Sequence, residues 1–214
     1  MKPFYQNELV TLYHGDCREV LLSVSVPETV VTDPVWPNCP PGLLPGSCRA
    51  GELYAEVMPL LKQAKRMAIQ MGCDSDPAML SLTPQKFFRV CHMSYSVPGH
   101  KGRLLYTADI AYLYGTPPKS RPGHRVVPGV CNVAIAGKET AHPAPRKLKH
   151  VQWLVRWWSE PTDVVLDPFC GSGTTLLAAA ELGRRSVGIE IDERYCEMAA
   201  TRFDQGILPL GAIS

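Results

Sequence analysis

Residues 164–192, VVLDPFCGSGTTLLAAAELGRRSVGIEID, confine this chain to few folds. An apolar run ends on Asp167 and enters a glycine turn, then a helix-forming segment, then a second apolar run ending on Glu190. This spacing predicts a strand over 164–166, a helix over 174–182, a strand over 186–189 and a helix over 193–203. Alternating strands and helices of this kind build a doubly wound, mostly parallel α/β sheet. Ligands in such sheets bind outside the carboxyl ends of the strands, and DPFCGSGTT sits at such an end.

The upstream chain is consistent with that class. LVTLYHGD (9–16) and ETVVTDP (28–34) read as strands, with a short helix over 18–24 between them. Residues 36–51 hold four prolines and three glycines and read as a loop. ELYAEVMPLLKQA (52–64) has a helical apolar face, with Pro59 set to kink or break it. RMAIQM (66–71), FFRVCHMSY (87–95) and IAYLYG (110–115) read as further strands, the last two set against the rest. KLKHVQWLVRWWS (147–159) reads as a helix with Leu148, Val151, Val155 and Trp158 on one stripe, its tryptophans packed as core.

With 214 residues the chain can form one domain with a real core. Its longest apolar runs are too short to span a bilayer, and MKPFYQNELV has no secretory apolar region. Eight cysteines occur without any C-x-x-C pair, so they read as small buried groups of a reducing compartment and the expected metal content is none. Net charge is only +2, but Lys119, Arg121, Arg125, Lys138, Arg146, Lys147 and Lys149 face one acid, Glu139, over 119–149. That stretch can neutralise phosphates or form a solvated loop.

The turn excludes two ligand classes. No lysine follows its second glycine, so it is not a phosphate loop. Leu176 stands where a dinucleotide fingerprint needs its third glycine. Glu190, at the next strand end, can accept hydrogen bonds from both hydroxyls of a ribose. A ribose with a compact, phosphate-free group near the turn describes S-adenosylmethionine.

DPFCGSGTT, GIEID, the upstream TDPVW and HPAPRKLKHVQWLVRWWS together resemble the amino-directed DNA methyltransferases, which methylate adenine N6 or cytosine N4. Their order resembles the circularly permuted β-like group, where the catalytic motif precedes the cofactor motif. The resemblance covers most of the chain. It implies a Rossmann-like methyltransferase sheet, mostly parallel with one antiparallel strand. It implies a single domain over 1–214: a catalytic half (1–115), a short loop (116–141) and a cofactor half (142–214). Asp167, Phe169, Gly171, Gly173 and Thr174 would hold the methionine part of S-adenosylmethionine. Glu190 would hold the ribose, with Ile191 beside the adenine and Asp16 and Cys17 meeting it from the first strand.

TDPVW is where the chemistry is expected. The Asp33 carboxylate and the Pro34 carbonyl can accept the two hydrogens of an exocyclic amine, and Trp36 offers a flat face to an extruded base. Val35 replaces the second proline of the family motif D/N/S-P-P-Y/F/W. Asp at the first motif position leans toward adenine. Arg121, Arg125, Lys138 and Arg146 are the candidate contacts to double-stranded DNA. The family usually inserts a sizeable target recognition domain in the gap that the 116–141 loop fills, so specificity is expected to be low or restricted to a short target. The implied setting is the cytoplasm of a microbe or phage-infected host, as in DNA modification or restriction-modification, with a homodimer among the implied states. Alternatives left open are a cytosine-N4 or RNA methyltransferase, a small-molecule or protein methyltransferase, and a non-catalytic cofactor- or nucleic-acid-binding protein.

Overall fold

The computed structural model describes residues 1–120, 129–132 and 146–206. They form one nine-stranded sheet with helices on both faces. In chain order the elements begin with β1 (Tyr5–Gln6), β2 (Val10–His14), α1 (Cys17–Val20) and β3 (Thr29–Thr32). Next come α2 (Ala50–Val57), β4 (Arg66–Met71), β5 (Phe87–Lys101), β6 (Leu104–Gly115) and β7 (Val130–Cys131). The chain then passes through α3 (Leu148–Trp158), β8 (Val164–Asp167), α4 (Thr174–Glu181), β9 (Arg185–Glu190) and α5 (Glu193–Gly206).

The sheet order is β1-β2-β9-β8-β3-β4-β6-β5-β7. Strands β2, β9, β8, β3 and β4 are parallel, and β6 is the antiparallel strand that joins β4 to β5. The two-residue edge strand β1 also runs against its neighbour. No helix among the described residues is long and apolar enough to cross a membrane.

The central strands are buried on both faces, as parallel strands under two helix layers must be. Every residue of β3, TVVT, is buried. One of its faces packs Val30 with Met67, Ile69, Leu166 and the α1 and α2 residues Val20, Tyr54 and Val57. The other packs Val31 with Ala68, Val165 and the helices α3 and α4 through Leu154, Val155, Ala178 and Ala179. A third cluster joins β2 to α4 and α5 through Leu12, Leu176 and Phe203.

Local signals account for several boundaries. Pro59 ends α2 as expected: the helix stops at Val57 and a tighter turn covers Met58–Leu61. Trp158 is buried and donates its indole N–H to the Met67 carbonyl at 3.0 Å. The pair read as separate short strands, 87–95 and 110–115, is instead one long hairpin, β5–β6.

Candidate functional site

The parallel order puts the ends of β2, β9, β8 and β3 side by side, and one cleft of about 240 Å³ opens at those ends. Among its lining residues are Asp16, Asp33, Trp36, Arg146, Asp167, Gly171, Glu190 and Ile191.

The glycine turn is built from both sides. Gly171 has φ 51° and Gly173 φ 77°, conformations that favour glycine. A Cβ on Gly173 would meet Phe203 Cζ at 2.6 Å and Ala199 Cβ at 2.9 Å. The missing side chain of Gly173 therefore clears space for α5. Arg202 of α5 donates from Nη1 to the Ser172 carbonyl at 2.6 Å and to Thr174 Oγ1 at 3.1 Å, clipping the turn from behind. Glu190 accepts from the Gly171 N–H and the Asp192 N–H, both at 2.8 Å. Burial raises its carboxyl above the usual range and those N–H groups pull it back.

Asp167 is buried at the tip of β8. Its Oδ1 accepts from Thr32 Oγ1 at 2.7 Å and from the Phe169 N–H at 3.1 Å. Burial pushes its carboxyl up to about 6, against the lowering effect of hydrogen bonds from Thr175 and Thr32. The Thr32 bond matters for the whole site, because the next residue is Asp33. It ties the tip of β3, which carries TDPVW, to the tip of β8, which opens the glycine turn.

Asp33 does not stand open. Arg146 donates to it from Nε at 2.7 Å and from Nη2 at 2.6 Å, and from Nη1 to Asp109 at 2.8 Å. The Arg146 and Asp33 side chains are 17% and 20% exposed, so the pair is held inside the cleft with a narrow opening to solvent. Burial raises the Asp33 carboxyl, the Arg146 charge lowers it, and Asp109 raises it. This corrects the expectation for Arg146: the structure places it beneath the TDPVW loop, paired with two carboxylates, and not on a surface free to meet phosphates. Arg121, Arg125 and Lys138 lie outside the described residues.

Asp16 caps α1 by accepting the Arg18 N–H at 2.9 Å, and its carboxylate also takes the Arg18 guanidinium, which holds it below the usual range. Cys17 is buried beside it, its thiol pushed up to about 12. Ile191 is 49% exposed and lines the cleft. Trp36 packs partly on the core, and half-buried Val35 lines the cleft next to it. Of the expected site residues, Pro34 is buried and is not on the cleft wall, and neither is Gly173.

Sequence reasoning missed the roof of the cleft. The 44–46 segment, Arg49, Leu53 and Glu56 cover it, and Tyr195 closes the far side. Arg18 reaches Glu56 at 2.5 Å, with Arg49 at 3.7 Å on the same carboxylate. These pairs are exposed and add little stability, but they tie α2 over the cleft. It also missed Asp109, a carboxylate buried in an otherwise apolar strand. That isolated charge was the available signal.

Known proteins resemble this chain in sequence over its C-terminal part and in fold over most of its length. The N6/N4 DNA methylase family model matches residues 115–201, from the end of β6 through the glycine turn into α5. Over these residues the chain is similar to that family. The type II methyltransferase M.ScaI of Streptomyces caespitosus is 45% identical over 67 residues, 31% of this chain and 22% of that protein. The crystal structure of an M1.HpyAVI–SAM complex superposes with TM-score 0.70 at 21% identity, covering 92% of this chain and 100% of that one. The cytosine-N4-specific PvuII DNA methyltransferase superposes with TM-score 0.73 at 18% identity, covering 100% of this chain and 91% of that one. The chain spans between 22% and 39% of the length of the curated relatives it matches.

Proposed function

We propose that the cleft binds S-adenosylmethionine and that the chain transfers its methyl group to the exocyclic amine of a DNA base, adenine N6 being favoured. One observation carries this reading: the Thr32–Asp167 bond fixes the Asp33 loop and the glycine turn as two walls of one cleft. The residues present suit the cofactor. A buried carboxylate, Asp167, suits an ammonium group; the Glu190 carboxylate suits ribose hydroxyls; exposed Ile191 suits an adenine face. The structural neighbour crystallised with SAM supports the same assignment.

When bound, the cofactor supplies a sulfonium-activated methyl group. The rest falls to the chain. Asp33, on the cleft wall, accepts an amine hydrogen, which helps to turn the nitrogen lone pair out of conjugation and toward the methyl carbon. The nitrogen–carbon bond forms as the carbon–sulfur bond breaks, its electron pair staying on sulfur. The surplus amine proton leaves to Asp33 or to water. Trp36 stacks the base, and Arg146 keeps Asp33 ionised and aimed.

Aspartate at the head of TDPVW favours adenine. The fold match to a cytosine-N4-specific enzyme supports cytosine N4 as the second reading. The position of β8 and β9, last in sequence, between β2 and β3 in the sheet supports the reading of a circularly permuted order. We further infer low or short target specificity and a cytoplasmic site of action.

Tritiated methyl transfer to unmethylated DNA, followed by nucleoside analysis, tests all of this. N6-methyladenine is the expected product, and Asp33→Ala is expected to lower its rate by about a hundredfold or more. Full activity in Asp33→Ala removes the mechanism. N4-methylcytosine establishes the second reading. Methylation mapped on mixed-sequence duplexes is expected to scatter, and restriction to a site of four or more bases overturns the inference of low specificity.

A further inference from the structure

The β5–β6 hairpin outruns the sheet it belongs to. Strand β4 ends at Met71, which pairs with Ile110 of β6. Residues 104–109 continue past that point, a reach of about 20 Å at roughly 3.3 Å per residue. The parallel strands β3, β8, β9 and β4 all end on this same edge, so the hairpin projects from the side of the molecule that holds the cleft. Its root is joined to the site by a direct bond. Asp109 accepts from Arg146 Nη1 at 2.8 Å, and the same guanidinium grips Asp33.

Beyond this root, among the described residues, the ribbon leaves the rest of the sheet. Strand β7 pairs with β5 only at His92 and Met93, and no other described strand flanks the outer part. The register breaks between Ser94 and Gly99, the kind of irregularity that bends and re-aims a strand. A bare two-stranded ribbon is marginal by itself and normally needs a partner. Its charge says which partner. Residues 90–108 contain no aspartate or glutamate but include His92, His100, Lys101 and Arg103. His100 and Arg103 are exposed at the tip, on either side of the Gly102 turn.

We propose that residues 94–108 form a DNA-docking arm. The ribbon lies in the major groove, which admits two antiparallel strands, and the tip contacts phosphates through Arg103 and His100. Its root then sets the Asp33 loop against the base extruded beside it. This rests on the reading of the cleft as a DNA-base methylation site and adds the surface that presents the duplex to it.

The test uses the full chain and a fluorescein-labelled unmethylated duplex of mixed sequence, titrated at several salt concentrations. Arg103→Glu is expected to weaken binding about tenfold near 0.1 M salt and to reduce the salt slope by about one. KM for DNA rises while kcat stays, and S-adenosylmethionine affinity is unchanged. If Arg103→Glu loses cofactor binding, the milder His100→Ala/Arg103→Gln variant carries the same comparison. Wild-type affinity and salt slope in the folded variant overturn the arm alone. A wild-type chain that neither binds duplex DNA nor methylates it overturns the arm and the reading beneath it together.

Discussion

Arg146 bonds both oxygens of Asp33 and one of Asp109, so a single guanidinium sets both the charge and the direction of the carboxylate proposed to receive the amine. Asp33 is also near Asp167 on the adjacent strand and Cys39 in its own loop, and burial raises its carboxyl more than Arg146 lowers it. In Arg146→Gln the lowering influence is gone while burial and Asp109 remain. The Asp33 pKa then rises, and the carboxylate is lost at a higher pH. The acid limb of the pH–rate profile is expected to move upward in Arg146→Gln. In Arg146→Lys it should stay near wild type while kcat falls about tenfold, because lysine keeps the charge but not the fork.

Asp167 gives a second test of the same kind. Its carboxyl sits near 6 in the folded chain, above the ordinary 3.8. A carboxyl raised by folding adds stability to the unliganded protein below about 3.8, and that stability is lost as pH rises through about 6. A bound ammonium reverses the preference by favouring the ionised form. The thermal shift produced by S-adenosylmethionine is therefore expected to be small well below pH 6 and larger well above it. Asp167→Asn should flatten this dependence, and a pH-independent shift in the wild type would contradict the assignment.

At the scale of elements, the glycine turn is shaped by what packs behind it. Gly173 has φ 77° and its missing Cβ makes room for Phe203 and Ala199. Gly173→Ala is expected to cost about 2 to 3 kcal/mol in urea unfolding through strain and overpacking. Phe203→Leu on top of it should recover part of that loss. The turn, its strand and its helix were legible in sequence because apolar period, glycine spacing and helix propensity all point the same way. The hairpin was not. VPGHKGRLLYTAD breaks the alternation of a strand with proline, glycine and charge, so its strands read as stopping at Tyr95 and starting at Ile110. That boundary also hid Asp109, one residue outside the strand as first drawn.

At the scale of the molecule, the two halves of the chain interleave. Strands β9 and β8 fill the space between β2 and β3, so the strands of the first half form no continuous sheet without those of the second. One buried pair ties them. Arg66 of β4 donates to Asp163 at 2.6 Å, and Asp163 also accepts from Thr29 Oγ1 at 2.6 Å and the Glu160 N–H at 2.9 Å. Both charged side chains are 7% exposed. Asp163→Ala strands the Arg66 charge in the interior and is expected to cost about 3 to 5 kcal/mol in urea unfolding. A loss under about 1 kcal/mol would mean that Arg66 finds water or another partner.

The sequence by itself determined the strand–turn–helix units, the fold class and the residue types at the strand tips. Each of these rests on local period, on turn chemistry or on a motif read along the chain. Only the tertiary structure decided what those residues meet. Gly173 faces α5, Arg146 turns inward onto Asp33 and Asp109, and the β5–β6 ribbon leaves the sheet on the side of the cleft. These partners are far apart in sequence, and no local pattern encodes them. They are fixed by which strands lie side by side and by the cost of leaving a buried charge unpaired.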